Sequence, residues 1–523
     1  MWRHRIAADV SLRDRLILAA LAAGGTASVV LLGDWWFRGV HVANTWLFAL
    51  LSLAFWYGIS RLVVGWINYL RISRPAAIPA PPGRRVAIFT TSSPGEPPEM
   101  FERTLAACAR VAYPHTTYLL DDTRNPVFRE MAERHGAVWL ELVGIPGAKA
   151  GKINRALALT DEEFILVLDP DHIPFPEFFD RVLGHFADTR VGFVQVCQAY
   201  YNQSRSFTAA AAAEQTYAFY GPVMMGLHGH GASVAIGANC TFRRQALESI
   251  GGHGIGLAED LVTAIRLHAA GWRSVYVPEI VSRGLVPEDV GSFYKQQMKW
   301  SRGVYEVAFS ELPRLWRHLT WRQRLSYLTI GTYYLCGIST AVFLMFPYLY
   351  LWTGIQPASM HFAGFLTAAS PVAFFGITSY LYVQRWLCDP DGERGLHWRG
   401  LSLKIACWPV YFAGTLLAIF RAEIPYVPTA KEAVRGRFLR LAWPQLLMAA
   451  LYVATLVRIT SQRLLTETVS LSLAPEATWG MAAFATLPVI AGAGALYAAR
   501  ESTRPPRQRP WTSIDVTRIG GLP

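Results

Sequence analysis

The sequence predicts an α/β domain inserted into an α-helical transmembrane bundle, and three observations carry that prediction. Hydrophobic residues make up 52% of the 523 and charged residues only 16%, a membrane-protein balance. The apolar residues gather into runs of membrane-crossing length on both sides of a central region. Between Arg71 and Arg324 lie roughly 250 residues with no such run, enough for a domain with its own core.

The runs fall at 16–32, 45–66, 325–351, 362–383, 401–420, 441–457 and 479–498, of which 16–32 and 441–457 are short. A basic start before an apolar run also fits a signal peptide. Here Gly33-Asp34-Trp35-Trp36 follows instead of a small-residue cleavage site, so an uncleaved span is expected. Arg3, Arg5, Arg13 and Arg15 precede the first run and Arg61, Arg71 and Arg74 close the second, while the loop between sets only Arg38 against Asp34. The positive-inside rule then puts the N-terminus and the central domain in the cytosol. Keeping both later basic regions, Arg421 to Arg440 and Arg500 to Arg509, on that side requires six spans, with 401–420 interfacial or broken at Lys404, Pro409 and Gly414. Hydropathy alone counts seven.

The formal charge of +12 sits largely beside the spans, where lipid headgroups account for it, and no zinc-finger, homeodomain or helix-turn-helix signature points to nucleic acid. Cys108, Cys197, Cys240, Cys336, Cys388 and Cys407 have no paired spacing, which predicts reduced, packed thiols.

The central domain follows a Pro-rich linker, "RPAAIPAPPGRR". "RRVAIFTT", "TTYLLDD", 138–142 and "EEFILVLDPD" read as strands, with helices near 100–110 and 127–135 and another after "GAKAGK", an alternation that predicts an open, mostly parallel sheet. Ligands of such sheets bind outside the carboxyl ends of the strands, where Asp121-Asp122 and Asp169-Pro170-Asp171 fall. Asp169 and Asp171 are candidate ligands of a hard cation, and Lys149 and Lys152 nearby suit a diphosphate. "GAKAGK" has neither the spacing nor the Ser/Thr of an ATPase phosphate loop. Small Gly237 and Ala238 permit close approach of a substrate, and Glu259-Asp260 opens a helix, where a carboxylate serves as a cap or as a general base. The histidines of "HGH" are expected to bond within a loop. "KQQMKWSRG", 295–303, combines amides, cations and an indole ahead of the third apolar run, as an interfacial helix or the lip of a site would.

These motifs, in this order, resemble the family 2 glycosyltransferases, in particular the membrane-integrated processive branch of cellulose, hyaluronan and chitin synthases. Asp121-Asp122, Asp169-Pro170-Asp171, Ala258-Glu259-Asp260 and Gln296-Gln297-Met298-Lys299-Trp300 stand where that family has an aspartate pair, Asp-x-Asp, Thr-Glu-Asp and Gln-x-x-Arg-Trp. The resemblance implies a GT-A-type glycosyltransferase domain, Mg2+ or Mn2+ as cofactor, a UDP-sugar donor, a growing polysaccharide as acceptor, and membrane lipid and an accessory export subunit as partners. It implies catalysis by Asp260 beside Glu259. Asp121, Asp122, Lys149, Lys152, Asp169, Lys299, Arg302, Thr429 and Lys431 would face the nucleotide and diphosphate, and Asp169 and Asp171 the metal. Gly237, Asn239, Cys240, Gln296 and Trp300 would face the acceptor. Two departures stand out: Lys299 replaces the motif's arginine and loses its bidentate fork, and Ala258 replaces its threonine.

The expected organisation is 1–70 two spans, 71–282 the cytosolic domain, 283–324 interfacial helices and 325–386 a helix pair. Then come 387–440 an interfacial helix and covering loop, 441–499 a second pair and 500–523 a tail. The resemblance implies that the chain polymerises UDP-glucose into a β-glucan and secretes it across a bacterial inner membrane. The alternatives are UDP-N-acetylglucosamine as donor, one transfer to a lipid-linked acceptor, or a transporter with a ligand-binding insert.

Overall fold

In the computed structural model, residues 5–422, 432, 434, 436, 438–465 and 475–503 are described. The central domain is built on seven strands: β1 (Val86–Thr91), β2 (Thr116–Asp121), β3 (Val138–Glu141), β4 (Phe164–Leu168), β5 (Val191–Val196), β6 (Cys240–Arg243) and β7 (Arg273–Val277). Their order is β3-β2-β1-β4-β6-β5-β7. All pairs are parallel except those of β6, which runs antiparallel to β4 and to β5. β1, β4 and β5 are buried at every position, because their apolar runs do not alternate and both faces of the sheet are covered. Phe89, Leu119, Ile165 and Val167 face one core, and Val86, Ile88, Leu166 and Val194 face the other with Phe178 and Phe179.

Among the described residues, six helices are long and apolar enough to cross a membrane: Leu12–Trp36, Thr45–Tyr69, Trp321–Thr353, Phe362–Trp386, Phe438–Ser461 and Thr478–Glu501. The first outruns its apolar stretch because Ser11 and Asp14 form a capping box ahead of it, and Asp14 also accepts from Tyr382 and pairs with Arg385. The stretch at 401–420 forms two helices, Trp398–Ala406 and Trp408–Ile419, bent by 47° at Cys407 just ahead of Pro409. This is the break the sequence anticipates, and the pair would bring the count to seven if it crosses as one span.

The "KQQMKWSRG" segment lies in the helix Val290–Glu306, which Asp289 caps. One face packs on Trp408–Ile419, where Gly414 lies against Ser301, Tyr411 donates to Gln297 at 2.9 Å, and Tyr305 and Thr415 share a 2.8 Å bond. The helix therefore stands between the bent pair and the α/β domain.

Candidate active site

β4 ends at Leu168 and delivers Asp169-Pro170-Asp171-His172 into a turn in which the His172 amide donates to the Asp169 carbonyl at 3.0 Å. Asp169, Asp171 and His172 each offer a ligand atom within 4.8 Å of the other two. Asp171 and His172 are buried, and among the described residues neither ring nitrogen of His172 has a hydrogen-bond partner, Nδ1 lying 3.6 Å from Asp171 Oδ1. Gly284 makes room for that ring, since an added Cβ would overlap it. Two carboxylates beside a buried imidazole with unused nitrogens form a donor set that fits a divalent ion. The sequence reading missed His172, although its signal was adjacent: it directly follows the second aspartate.

Lys149 binds this cluster to the rest of the cleft. It opens the helix Ala148–Leu157, and its Nζ donates to Asp169 Oδ1 and to the Gly237 carbonyl, both at 2.5 Å. Burial opposes the charge of Lys149, but Asp169 and Glu259 outweigh it and hold the pKa above the usual lysine value. Lys152, one turn later and fully buried, donates to the Ser92 carbonyl at 2.5 Å and lies 3.6 Å from Asp122, with its pKa lowered by burial. Asp122 also accepts from the Gly144 amide at 3.1 Å.

Across Gly237 stands Asp260, at the second position of the helix Glu259–Ala269. Its Oδ1 accepts from the Leu261 amide at 2.8 Å, while Oδ2 accepts no hydrogen bond among the described residues and lies 3.3 Å from where a Cβ on Gly237 would be. Gly237 is required twice, for that approach and for its φ of +85°. Burial, reinforced by the charge of Glu259, pushes the Asp260 carboxyl up to about 7, against the pull of Lys149 and Lys299. Lys299 is held below its usual value by burial. The capping role considered from sequence is not taken by either acid, since the N-cap is Ala258.

Other expected residues divide. Cys240 is buried and feels the charges of Asp260 and Lys149, which places it on the floor of the cleft. Asn239 turns the chain with a φ of +59°, and its buried side chain accepts from Ser282 at 2.7 Å. Gln296 is half-buried and Trp300 is 37% exposed. Asp121 is wholly interior, accepting from Ser92, Thr123 and Trp139, so it shapes the end of β2 and does not face a nucleotide. Arg302 also departs from expectation: its guanidinium donates to the Ala422 carbonyl and pairs with Glu306, and among the described residues it joins none of the cleft's acids. Thr429 and Lys431 lie outside the described residues. His228 and His230 stand at the end of the helix Met224–Gly229, not in a free loop.

Residues 164–356, which include the Asp169 turn, Asp260 and Trp300, match the family model described as glycosyl transferase family group 2. This segment is similar to the family 2 glycosyltransferases. It is 29% identical over 330 residues to the cellulose synthase catalytic subunit [UDP-forming] of Komagataeibacter sucrofermentans, an alignment covering 60% of this chain and 44% of that one. It is 30% identical over 245 residues to the protein of that name from Pseudomonas fluorescens, covering 46% and 33%. The chain thus spans less than half the length of these curated relatives. A mannosyltransferase of Pyrobaculum calidifontis, solved in complex with GDP-Man and Mn2+, shares its fold with a TM-score of 0.50 at 17% identity, over 72% of this chain and all of that one. GT-A is therefore the fold of this glycosyltransferase domain.

Proposed function

We propose that this chain is an inverting, processive glycosyltransferase that polymerises UDP-glucose into a β-glucan and passes the product outward across a bacterial inner membrane, with its α/β domain cytosolic. The observation that carries the chemistry is the convergence of Asp169, Asp171 and His172 with Asp260 across Lys149 and Gly237. The six membrane-length helices and the cellulose synthase relatives support processivity and the choice of glucose.

Asp260 Oδ2 takes the proton of an acceptor hydroxyl as that oxygen bonds to the donor's anomeric carbon. The bond from that carbon to the diphosphate breaks on the opposite face, and UDP leaves with its electrons. Lys149 and Lys299 place positive charge beside the bond that breaks, and Lys152 with Asp122 orders the loop after β1. Asp169, Asp171 and His172 would hold Mg2+ or Mn2+, which supplies charge neutralisation to the leaving diphosphate. Gln296 and exposed Trp300 receive the acceptor sugar, the indole against its apolar face.

A second reading, transfer of one sugar to a lipid-linked acceptor, is favoured by Lys299, which cannot supply the bidentate grip of the motif's arginine. Purified protein in lipid nanodiscs, given a divalent cation and a panel of labelled UDP-sugars beside an Asp260→Asn control, decides between the two. A long labelled polymer from UDP-glucose, absent from the control, is the expected result. Label confined to lipid or a short saccharide establishes the second reading, and a different donor would correct the sugar.

A further inference from the structure

The helix that carries Asp260 starts without a side-chain cap. Ala258 occupies its N-cap, and among the described residues Asp260 accepts only from its own neighbour; within the helix, Thr263 Oγ1 donates to the Glu259 carbonyl at 2.6 Å and accepts from the Gly254 amide at 2.8 Å. The loop ahead of it, where Gly251, Gly252 and Gly256 adopt positive φ, is tied at His253 by Asn154 and at Gly254 by Thr263, which leaves 255–258 to be held from outside. Restraint on that stretch comes from the Val290–Glu306 helix. Gly303 lies so close to the loop that an added Cβ would stand 2.9 Å from the Ala258 nitrogen. One turn further, Glu306 Oε2 accepts from the Leu257 amide across a long 3.4 Å bond. Glu306 Oε1 pairs with Arg302 at 3.2 Å, and buried Arg302 donates from Nε to the Ala422 carbonyl at 3.1 Å, three residues past the Trp408–Ile419 helix.

We infer that Glu306 is a positioning residue for Asp260, an inference that rests on Asp260 being the general base. One carboxylate joins the backbone two residues before Glu259 to a guanidinium that is itself anchored at the end of the bent helix pair. Glu306 touches no reacting atom. It places the loop, the loop places the first turn, and the first turn places Oδ2 over Gly237. The docking of the bent pair on the Val290–Glu306 helix thereby enters the geometry of the base.

The test uses full-length protein in nanodiscs, as Glu306→Ala, Glu306→Gln and Arg302→Gln. Glu306→Ala is expected to lower kcat about tenfold or more while the donor KM stays within about twofold, the split expected when a reacting group is misplaced. Amide exchange in the peptide covering 254–262 should speed up about fivefold or more, without a change in exchange of β4. Glu306→Gln keeps an acceptor for Leu257 and should recover most of both losses. Arg302→Gln should show a smaller loss of the same kind, and it keeps the inference testable if Glu306→Ala does not fold. Unchanged exchange at 254–262, or a kcat within twofold of wild type in Glu306→Ala, overturns the inference. If wild-type protein turns over no UDP-sugar, the exchange experiment still decides whether Glu306 holds the loop, and the failure belongs to the proposed activity.

Discussion

The two acidic regions of the cleft are held in opposite ways. Asp169, Asp171 and His172 leave the end of β4, a strand buried at every position and paired on both sides, and Lys149 and the Leu285 amide bind them in place. Asp260 stands on a helix without a side-chain N-cap, behind a glycine-rich loop tied by Asn154 and Thr263, and the last residues of that loop rest on a helix that also packs against the bundle. Under the proposed function the donor side is part of the domain's core, whereas the acceptor side takes part of its position from the membrane-proximal elements. The proposed processive enzyme, which must hold one substrate firmly while the other advances, has reason to be built this way.

The sharpest way to break this comparison is to remove the acid on the adjustable side. Asp260→Asn keeps the shape and loses the base, and turnover should fall on the order of 10³-fold while UDP affinity, read by calorimetry, stays within about threefold. The donor side should answer differently. Asp171→Asn is expected to weaken Mn2+ binding and turnover together, roughly 10²-fold, and chelation should abolish turnover reversibly. Equal loss of UDP affinity in both variants would mean that the two regions are not separate in function.

Intermediate effects come from the boundary between them. Gly237→Ala forces a side chain into positive φ and crowds Asp260 Oδ2, so it should cost about 1 kcal/mol of stability and lower kcat about tenfold. Unfolding and kinetics on one preparation would separate the two costs. The acid limb of kcat/KM is a further measure: Asp260 works as the carboxylate and its pKa is pushed up to about 7, so activity should rise with pH through that value. At pH 6 it should stand about tenfold below its plateau. A flat profile between pH 5 and 8 would remove Asp260 from the role of base.

The donor side was also the more legible in sequence, for the same physical reason. Strands buried on both faces announce themselves as continuous apolar runs, and the acids that follow them fall at the strand ends by construction, which is how Asp122 and the Asp169 turn could be placed. Asp121 looked equivalent to Asp122, but neighbours in a strand point to opposite faces, and Asp121 points inward. His172 belongs to no spaced motif in the sequence, and only the fold shows its ring turned toward the two aspartates. On the other side, Asp260 came from motif order and not from any pattern of burial, and Arg302 was misplaced because its partners, Ala422 and Glu306, come partly from a segment 120 residues away. The break at Cys407 was readable because Pro409 and Gly414 interrupt an otherwise apolar run.

The smallest expected effect tests whether Lys299 serves both regions. Its charge lies close enough to Asp260 and Asp169 to act on both, and it favours the ionised form of Asp260. Lys299→Met removes that influence without adding a polar group, so the acid limb of kcat/KM should move to higher pH, while the plateau falls only as far as Lys299 helps the departing diphosphate. Lys299→Arg, which restores the family's usual residue, should return the limb and lower the donor KM if bidentate contact with the diphosphate is geometrically open. A limb that does not move in Lys299→Met would assign this lysine to the donor alone, and the base would then be tuned by burial, Glu259 and Lys149 without help from the Val290–Glu306 helix.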